Sequence, residues 1–386
     1  MALYELAILG DATTDERDRL TKTIASLLVD FGLTVGPGVA IRTGVDVAGR
    51  NIHASSAAAY FGGVDVPDTE AALALVTASV PVIPTVKDGQ EFNALIPDFL
   101  QGFNGHRRRA DDPDLKELAM ALLECAGLLR RQRRAFVSYR RVESRAAAVQ
   151  LHDELSSRGY DVFLDTHDIM PGDPFQDVLW HRLCDSDVMV MLDTPTYFER
   201  KWTRQEIGRA RAKEIHVLRV VWPDHTPNRM TDLAETIYLE PHELEAADGP
   251  IIPKTVDQII LAVETLRSRS IASRHMSMTG KVRAEVTKIG ALFEGVGAHR
   301  ALGIRLNDGG KVWAYPVVGV PTAELLNDIA TKARNANQTG APILVYDHVG
   351  IGTAWAAHLA WLDENITSVR AIRVAEFGWD VVGLER

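Results

Sequence analysis

Two hydrophobic rhythms alternate along the chain, short unbroken apolar runs and stripes spaced three and four apart, and they set the expected elements. The chain opens on an apolar run, Tyr4 to Leu9, that stops at Gly10-Asp11. From Asp15 to Phe31 the residues Leu20, Ile24, Leu27, Leu28 and Phe31 share one helical face, and Gly32 closes that helix. Gly36 to Gly49 is rich in Gly and reads as a loop. Ala71 to Val86 carries a small-residue helix end and a strand around Val80 to Ile83. His106 to Pro113 is charged and polar, a connection, before a helix over Asp114 to Leu129 for which Asp111 or Asp112 is the candidate cap. Strand, helix, loop, strand is the grammar of an open α/β sheet.

The rhythm restarts after the basic run Arg130, Arg131, Arg133 and Arg134, which reads as a solvated edge or linker. Expected strands are Ala135 to Tyr139, Asp161 to Leu164, Val188 to Leu192 and His216 to Val221. Expected helices are Glu143 to Arg158, ended by Gly159, then Phe175 to Cys184 and Thr203 to Ala212. This alternation predicts a doubly wound parallel sheet with its ligand crevice at the carboxyl ends of the strands. Arg267 to Gly280 is polar, basic and Ser-rich, and predicts an exposed linker. Beyond it, strands are expected at Ala301 to Leu306, Val312 to Val318, Pro342 to Tyr346 and Ala371 to Val374. Helices are expected at Thr322 to Ala336 and Thr353 to Glu364. Trp355, His358 and Trp361 recur at helical spacing as packing residues. Asp347 and His348 form a satisfied loop pair or, alternatively, a catalytic one, although no GxSxG nucleophile motif accompanies them. The fold class is thus α/β throughout, in three domains: 1–130, 131–270 and 281–386.

Composition narrows the function. The 386 residues are 46% hydrophobic and 24% charged, enough to bury several cores. A net charge of -10 argues against nucleic acid as a partner, since phosphate contacts need a basic surface. The two cysteines, Cys125 and Cys184, lie in apolar helical patterns and read as buried thiols in a reducing compartment. The acidic N-terminus lacks the basic start of a signal peptide, and no run of about 18 uncharged apolar residues offers a membrane span. A cytoplasmic location is expected. Gly10 is followed by neither GxGxxG nor a P-loop pattern and reads as a tight turn. His167 and His181 lack the spacing of metal ligands, so no metal is expected.

The middle third carries four signatures in order. They are Phe136-Val137-Ser138-Tyr139-Arg140, then Phe163-Leu164-Asp165 with Asp168-Ile169-Met170-Pro171-Gly172, then Ser186 to Leu192, and last Trp202-Thr203-Arg204-Gln205-Glu206. In this combination the segment resembles the TIR (Toll/interleukin-1 receptor) domain, which implies a flavodoxin-like parallel sheet. The first segment resembles a degenerate TIR-like or related Rossmann-type module. The W-x-x-x-E helix resembles that of TIR domains that cleave NAD, which implies Glu206 as the catalytic residue. Trp202 and Glu206, four apart, share a helix face and can point into one cleft. An indole can pack on a cationic nicotinamide, and a carboxylate can stabilise the oxocarbenium-like charge that grows as the glycosidic bond breaks. Ser138, Tyr139, Arg140 and Asp165 are the further candidates for substrate contact: Arg140 for a pyrophosphate, Tyr139 for stacking, Asp165 for a ribose or for fixing its loop. Asp168, Pro171 and Gly172 lie on the loop that the resemblance assigns to assembly. The resemblance further implies a role in antiphage or stress-induced NAD depletion, NAD as substrate with no bound cofactor, self-association through TIR–TIR contacts, and an activating ligand or partner sensed by the flanking domains. The alternative is a TIR scaffold that binds its like without catalysis.

Overall fold

The computed structural model describes all residues except 1, 66, 104, 130–131, 165–174, 200, 232–233, 339–341 and 384–386, with side chains also left aside at 175–177, 201–202 and 230. Each sequence segment builds one five-stranded sheet. The first holds β1 (Tyr4–Gly10), β2 (Val39–Thr43), β3 (Ser55–Phe61), β4 (Val82–Lys87) and β5 (His106–Arg108), all parallel, in the order β2-β1-β3-β4-β5. The second holds β6 (Arg134–Ser138), β7 (Asp161–Leu164), β8 (Val188–Asp193), β9 (His216–Val221) and β10 (Glu235–Tyr238), again all parallel, in the order β10-β9-β8-β6-β7. Numbered within their own segments, both sheets follow the flavodoxin-like order, in which the first strand sits beside the topological switch point. The third sheet is mixed. β11 (Leu292–Val296), β12 (Leu302–Arg305) and β13 (Lys311–Val317) run antiparallel, and β14 (Ile343–Tyr346) and β15 (Arg370–Arg373) continue parallel to β13.

The helices of the first segment are α1 (Thr14–Leu28), α2 (Thr69–Thr77), α3 (Phe92–Leu95), α4 (Asp98–Gln101) and α5 (Lys116–Cys125). Those of the second are α6 (Arg141–Ser157), α7 (Phe175–Asp185) and α8 (Lys201–Ala212). The long α9 (Pro253–Lys288) follows, then α10 (Ala323–Asn335), α11 (Thr353–Asn365) and α12 (Phe377–Gly383). The chain packs as two compact units, Arg130–Ser273 with Val349–Thr353, and the remainder of both flanking segments together. Among the described residues, no helix is long and apolar enough to cross a membrane. Both cysteines are buried thiols.

Local chemistry explains why these helices start where they do. Thr13 and Glu16 form a reciprocal capping box on α1. Asp112 accepts from the backbone amides of Lys116 and Glu117 at 2.9 and 3.0 Å, the expected cap of α5. Both faces of the first sheet are covered, one by α1 and α5 through Leu20, Ile24 and Leu122, the other by α2 through Ala72 and Leu75.

Several expectations need correction. Arg267 to Gly280 is no exposed linker but lies inside α9, with Arg267, Ser268, Ser270 and Ile271 buried. Its arginine tolerates burial because distant acids neutralise it: Arg267 Nε donates to Asp187 at 3.0 Å, and Glu264 lies one turn back. Nor is Arg133 a solvated edge. It is fully buried, with a two-bond pair to Glu264 at 3.1 and 2.7 Å, and Tyr160 donates to the same carboxylate at 2.5 Å. Strands β2, β3, β5, β10 and β11 and helices α3, α4 and α12 are additions to the expected elements. Trp355 lies tilted against His358 and His358 stacks on Trp361, but Trp361 is exposed, so these rings pack on one another rather than in a core. Asp347 pairs with Lys281 at 2.8 Å, which favours the satisfied loop reading.

One feature of the unit built from the flanking segments makes stability depend on pH. Burial, together with the nearby Arg108 and His299 charges and against Asp112, pushes the imidazole of His106 down to about 4 from 6.5. The unfolded chain therefore binds the extra proton between those values, and folding loses stability as pH falls from 6.5 towards 4. The full contribution is about 3 kcal/mol. Glu124 acts in the same direction at lower pH. Although burial raises its pKa, His299 and Lys332 hold the carboxyl down to about 2, so its contribution is lost below 4.5. Urea titrations at pH 7 and pH 4.5 should show a lower midpoint at pH 4.5, and a smaller difference in His106→Asn. An equal acid shift in the variant would assign the effect to other groups.

Candidate active site

The switch point of the second sheet lies between β6 and β8, and a doubly wound fold places its ligand crevice at the carboxyl ends of these strands. Alternation along β6 decides what faces it. Ala135, Val137 and Tyr139 join the core on one face, while Phe136 packs with Met189, Met191, Tyr197 and Ile207 on the other. Ser138 shares the Phe136 face, at the strand's last position, and pairs in register with Met191. Helix α8 covers that face through Ile207 and Ala210, which turns the preceding Glu206 inward.

The result is a buried polar chain among apolar side chains. Ser138 Oγ donates to Glu206 Oε2 at 2.5 Å. Tyr197 Oη lies 2.6 Å from the same Ser138 oxygen. The serine hydroxyl has one proton, and it is given to the carboxylate, so Tyr197 is the donor to Ser138. Glu206 is 3% exposed, Ser138 1% and Tyr197 0%. An exposed glutamate paired with Arg204 or Arg209 is thereby excluded; Arg209 instead lies over the Trp180 ring, 3.8 Å from its centroid. Thr203 fastens the start of α8 by donating to the Tyr197 carbonyl at 3.2 Å.

The other expected residues divide. Tyr139 is in the core on the opposite face of β6 and does not join Ser138. Arg140 lies at the rim, where its Nε donates to Thr196 Oγ1 at 3.0 Å and its guanidinium is 3.7 Å from Glu199. Trp202 sits on α8 one turn before Glu206, with its side chain outside the described residues. Asp165, Asp168, Pro171 and Gly172 also lie outside them.

Two groups at this strand edge escaped the sequence reading. Tyr197 follows β8 in a short 3-10 turn, and its only sequence signal is its place just past a strand's carboxyl end. Asp193, the last residue of β8, is fully buried, and His225 lies 3.1 Å from its Oδ1. Its Oδ2 has no hydrogen-bond partner among the described residues. Burial pushes its carboxyl up from the usual aspartate value, against the pull of His225 and Arg219. A raised pKa and an unpartnered oxygen in a ligand crevice are features of functional carboxylates.

Replacing Tyr197 by Phe removes the outer donor of the chain and leaves the ring. The expected cost in stability is about 1 kcal/mol. Thermal unfolding of the variant and of wild type, compared in one buffer, measures it.

Comparison with known proteins bears on this region. Residues 135–248 match the model of the TIR domain family. Comparison with curated proteins gives no match. Among solved structures, tagatose-6-phosphate ketose/aldose isomerase from Escherichia coli is 12% identical, with 71% of this chain and 82% of that chain covered at a TM-score of 0.20. A likeness that low carries no argument about fold or function.

Proposed function

From the premise that residues 135–248 are a TIR domain, we propose that this domain hydrolyses NAD at the nicotinamide–ribose bond with Glu206 as the catalytic carboxylate. The observation that carries the reading is the glutamate itself, buried at the carboxyl edge of a doubly wound sheet and oriented by the Ser138 hydroxyl. The chemistry suits one carboxylate. The nicotinamide of NAD is already cationic and leaves neutral, so no strong general acid is required. Positive charge moves to the ribose as the bond breaks, and a carboxylate held in an apolar setting stabilises it more than one in water. Water then adds to the anomeric carbon, giving ADP-ribose and a proton.

Glu206 in this conformation is closed to solvent and engaged with Ser138. The enzyme so described is at rest, and substrate needs an opening that assembly of TIR domains supplies. The same burial also fits the rival reading, a TIR scaffold without catalysis. The test is nicotinamide release from NAD by the purified full chain across a range of protein concentrations. Specific activity that climbs with concentration supports an enzyme activated by assembly. No release at any concentration, with self-association retained, favours the scaffold.

A further inference from the structure

The other unit holds a cavity of 320 Å³ that the TIR chemistry does not use. Its walls come from α3, the end of α4 with the loop after it, and β5 in the first segment, and from β13 and the end of α10 in the third. The half-buried Phe92 supplies aromatic surface, and the buried rings of Phe103 and Trp313 form an apolar floor. The cavity is constructed rather than a slack joint. Phe103 lies against Gly295, where a Cβ would fall 2.1 Å from the ring, and Phe92 lies as close, 2.2 Å, to the Cβ position of Gly105.

Its polar groups differ in how far they are already engaged. Lys311 is spent, with Glu294 at 2.7 Å, the Gly102 carbonyl as acceptor and its ammonium 4.4 Å from the Trp313 ring centroid. Arg107 donates one bond to the Gln90 carbonyl at 3.1 Å and has no carboxylate partner among the described residues. A guanidinium has five donors, so an oxyanion can still be gripped there. Gln338 accepts from Tyr315 at 3.0 Å, while its buried Nε2 has no partner among the described residues. A buried amide left half satisfied costs free energy until something completes it. Asn337, beside it, offers a second amide at the rim.

We propose that this cavity binds a purine mononucleotide. Aromatic surface takes the planar base, the Gln338 and Asn337 amides pair with the donor and acceptor atoms of a purine edge, and Arg107 takes the phosphate. The volume lies at the small end of the range for ligand clefts, about 300–1,000 Å³, which suits a mononucleotide and not a dinucleotide such as NAD.

The test is calorimetric titration of the full chain with AMP and GMP, and with adenosine and inorganic phosphate as the two halves. At least one nucleotide is expected to bind below about 1 mM, with either half at least about tenfold weaker. Arg107→Ala, at an exposed position that should not disturb folding, should weaken the nucleotide about tenfold, and Gln338→Leu should do so too. Circular dichroism checks that each variant is folded. Absence of binding by both nucleotides overturns the proposal. So does nucleotide binding unchanged in Arg107→Ala, or binding lost in Glu206→Gln but kept in Arg107→Ala, which would place the ligand in the TIR site.

Discussion

Glu206→Ala should lower nicotinamide release from NAD by at least about a hundredfold, the loss seen when one group aimed at developing charge is removed. The measurement is turnover at saturating NAD, at the concentration where wild type is most active, with the melting temperature recorded for each protein. Alanine at this position also removes a buried carboxylate and leaves Ser138 without its acceptor. Glu206→Gln is the sharper variant, since it keeps the shape and still accepts from Ser138 while losing the negative charge. If charge is what stabilises the transition state, the glutamine protein is folded and as inactive as the alanine one. A glutamine variant with near wild-type turnover would remove Glu206 from the chemistry.

The second large effect lies in the buried ion network of the same unit. Glu264→Ala should destabilise that unit by about 3–5 kcal/mol, because it removes the carboxylate that pairs with the fully buried Arg133. Arg133 loses both of its bonds to the carboxylate, Tyr160 loses its acceptor, and Arg267 keeps Asp187 and the Gln132 carbonyl. For a unit of this size the expected fall in melting temperature is about 10 °C or more. Thermal unfolding followed by circular dichroism measures it, and a change below about 2 °C would show that the network contributes little. Simultaneous replacement of Arg133 and Glu264 by apolar residues should cost less than Glu264→Ala alone, since the charge pair then leaves the interior together.

What was readable in the sequence follows from how each signal arises. Val188 to Leu192 and His216 to Val221 were legible as strands because both faces of a parallel sheet are covered and the runs are apolar. Strand β3 was not, because Ala57, Ala58 and Ala59 are small residues with little strand preference, held there by pairing with β1 and β4. Strand β5 is a three-residue edge whose His106-Arg107-Arg108 reads as a charged loop. Arg108 becomes buryable only beside Glu16, 92 residues away in sequence. The linker error has the same origin. Arg267 and Arg133 read as solvated until Asp187 and Glu264 are placed beside them, and those pairings are long-range. At the site, spacing pointed to Glu206 and the strand end to Ser138. Tyr197 carried no motif, and only the turn after β8 brings its hydroxyl to Ser138.

The bond from Ser138 to Glu206 has a consequence for inhibition. On the proposed activity, a ribose hydroxyl approaching Glu206 would meet an acceptor already occupied by a hydroxyl on a tether, so Ser138 would act as a built-in competitor that mimics the substrate's own alcohol. Binding is then an exchange of one donor for another, nearly neutral in hydrogen-bond count. Deleting the tethered alcohol with Ser138→Ala should lower KM and kcat together, as vacancy at the acceptor helps the ground state while loss of alignment slows the bond cleavage. Small polyols presenting a cis-diol should likewise compete better against the alanine protein than against wild type.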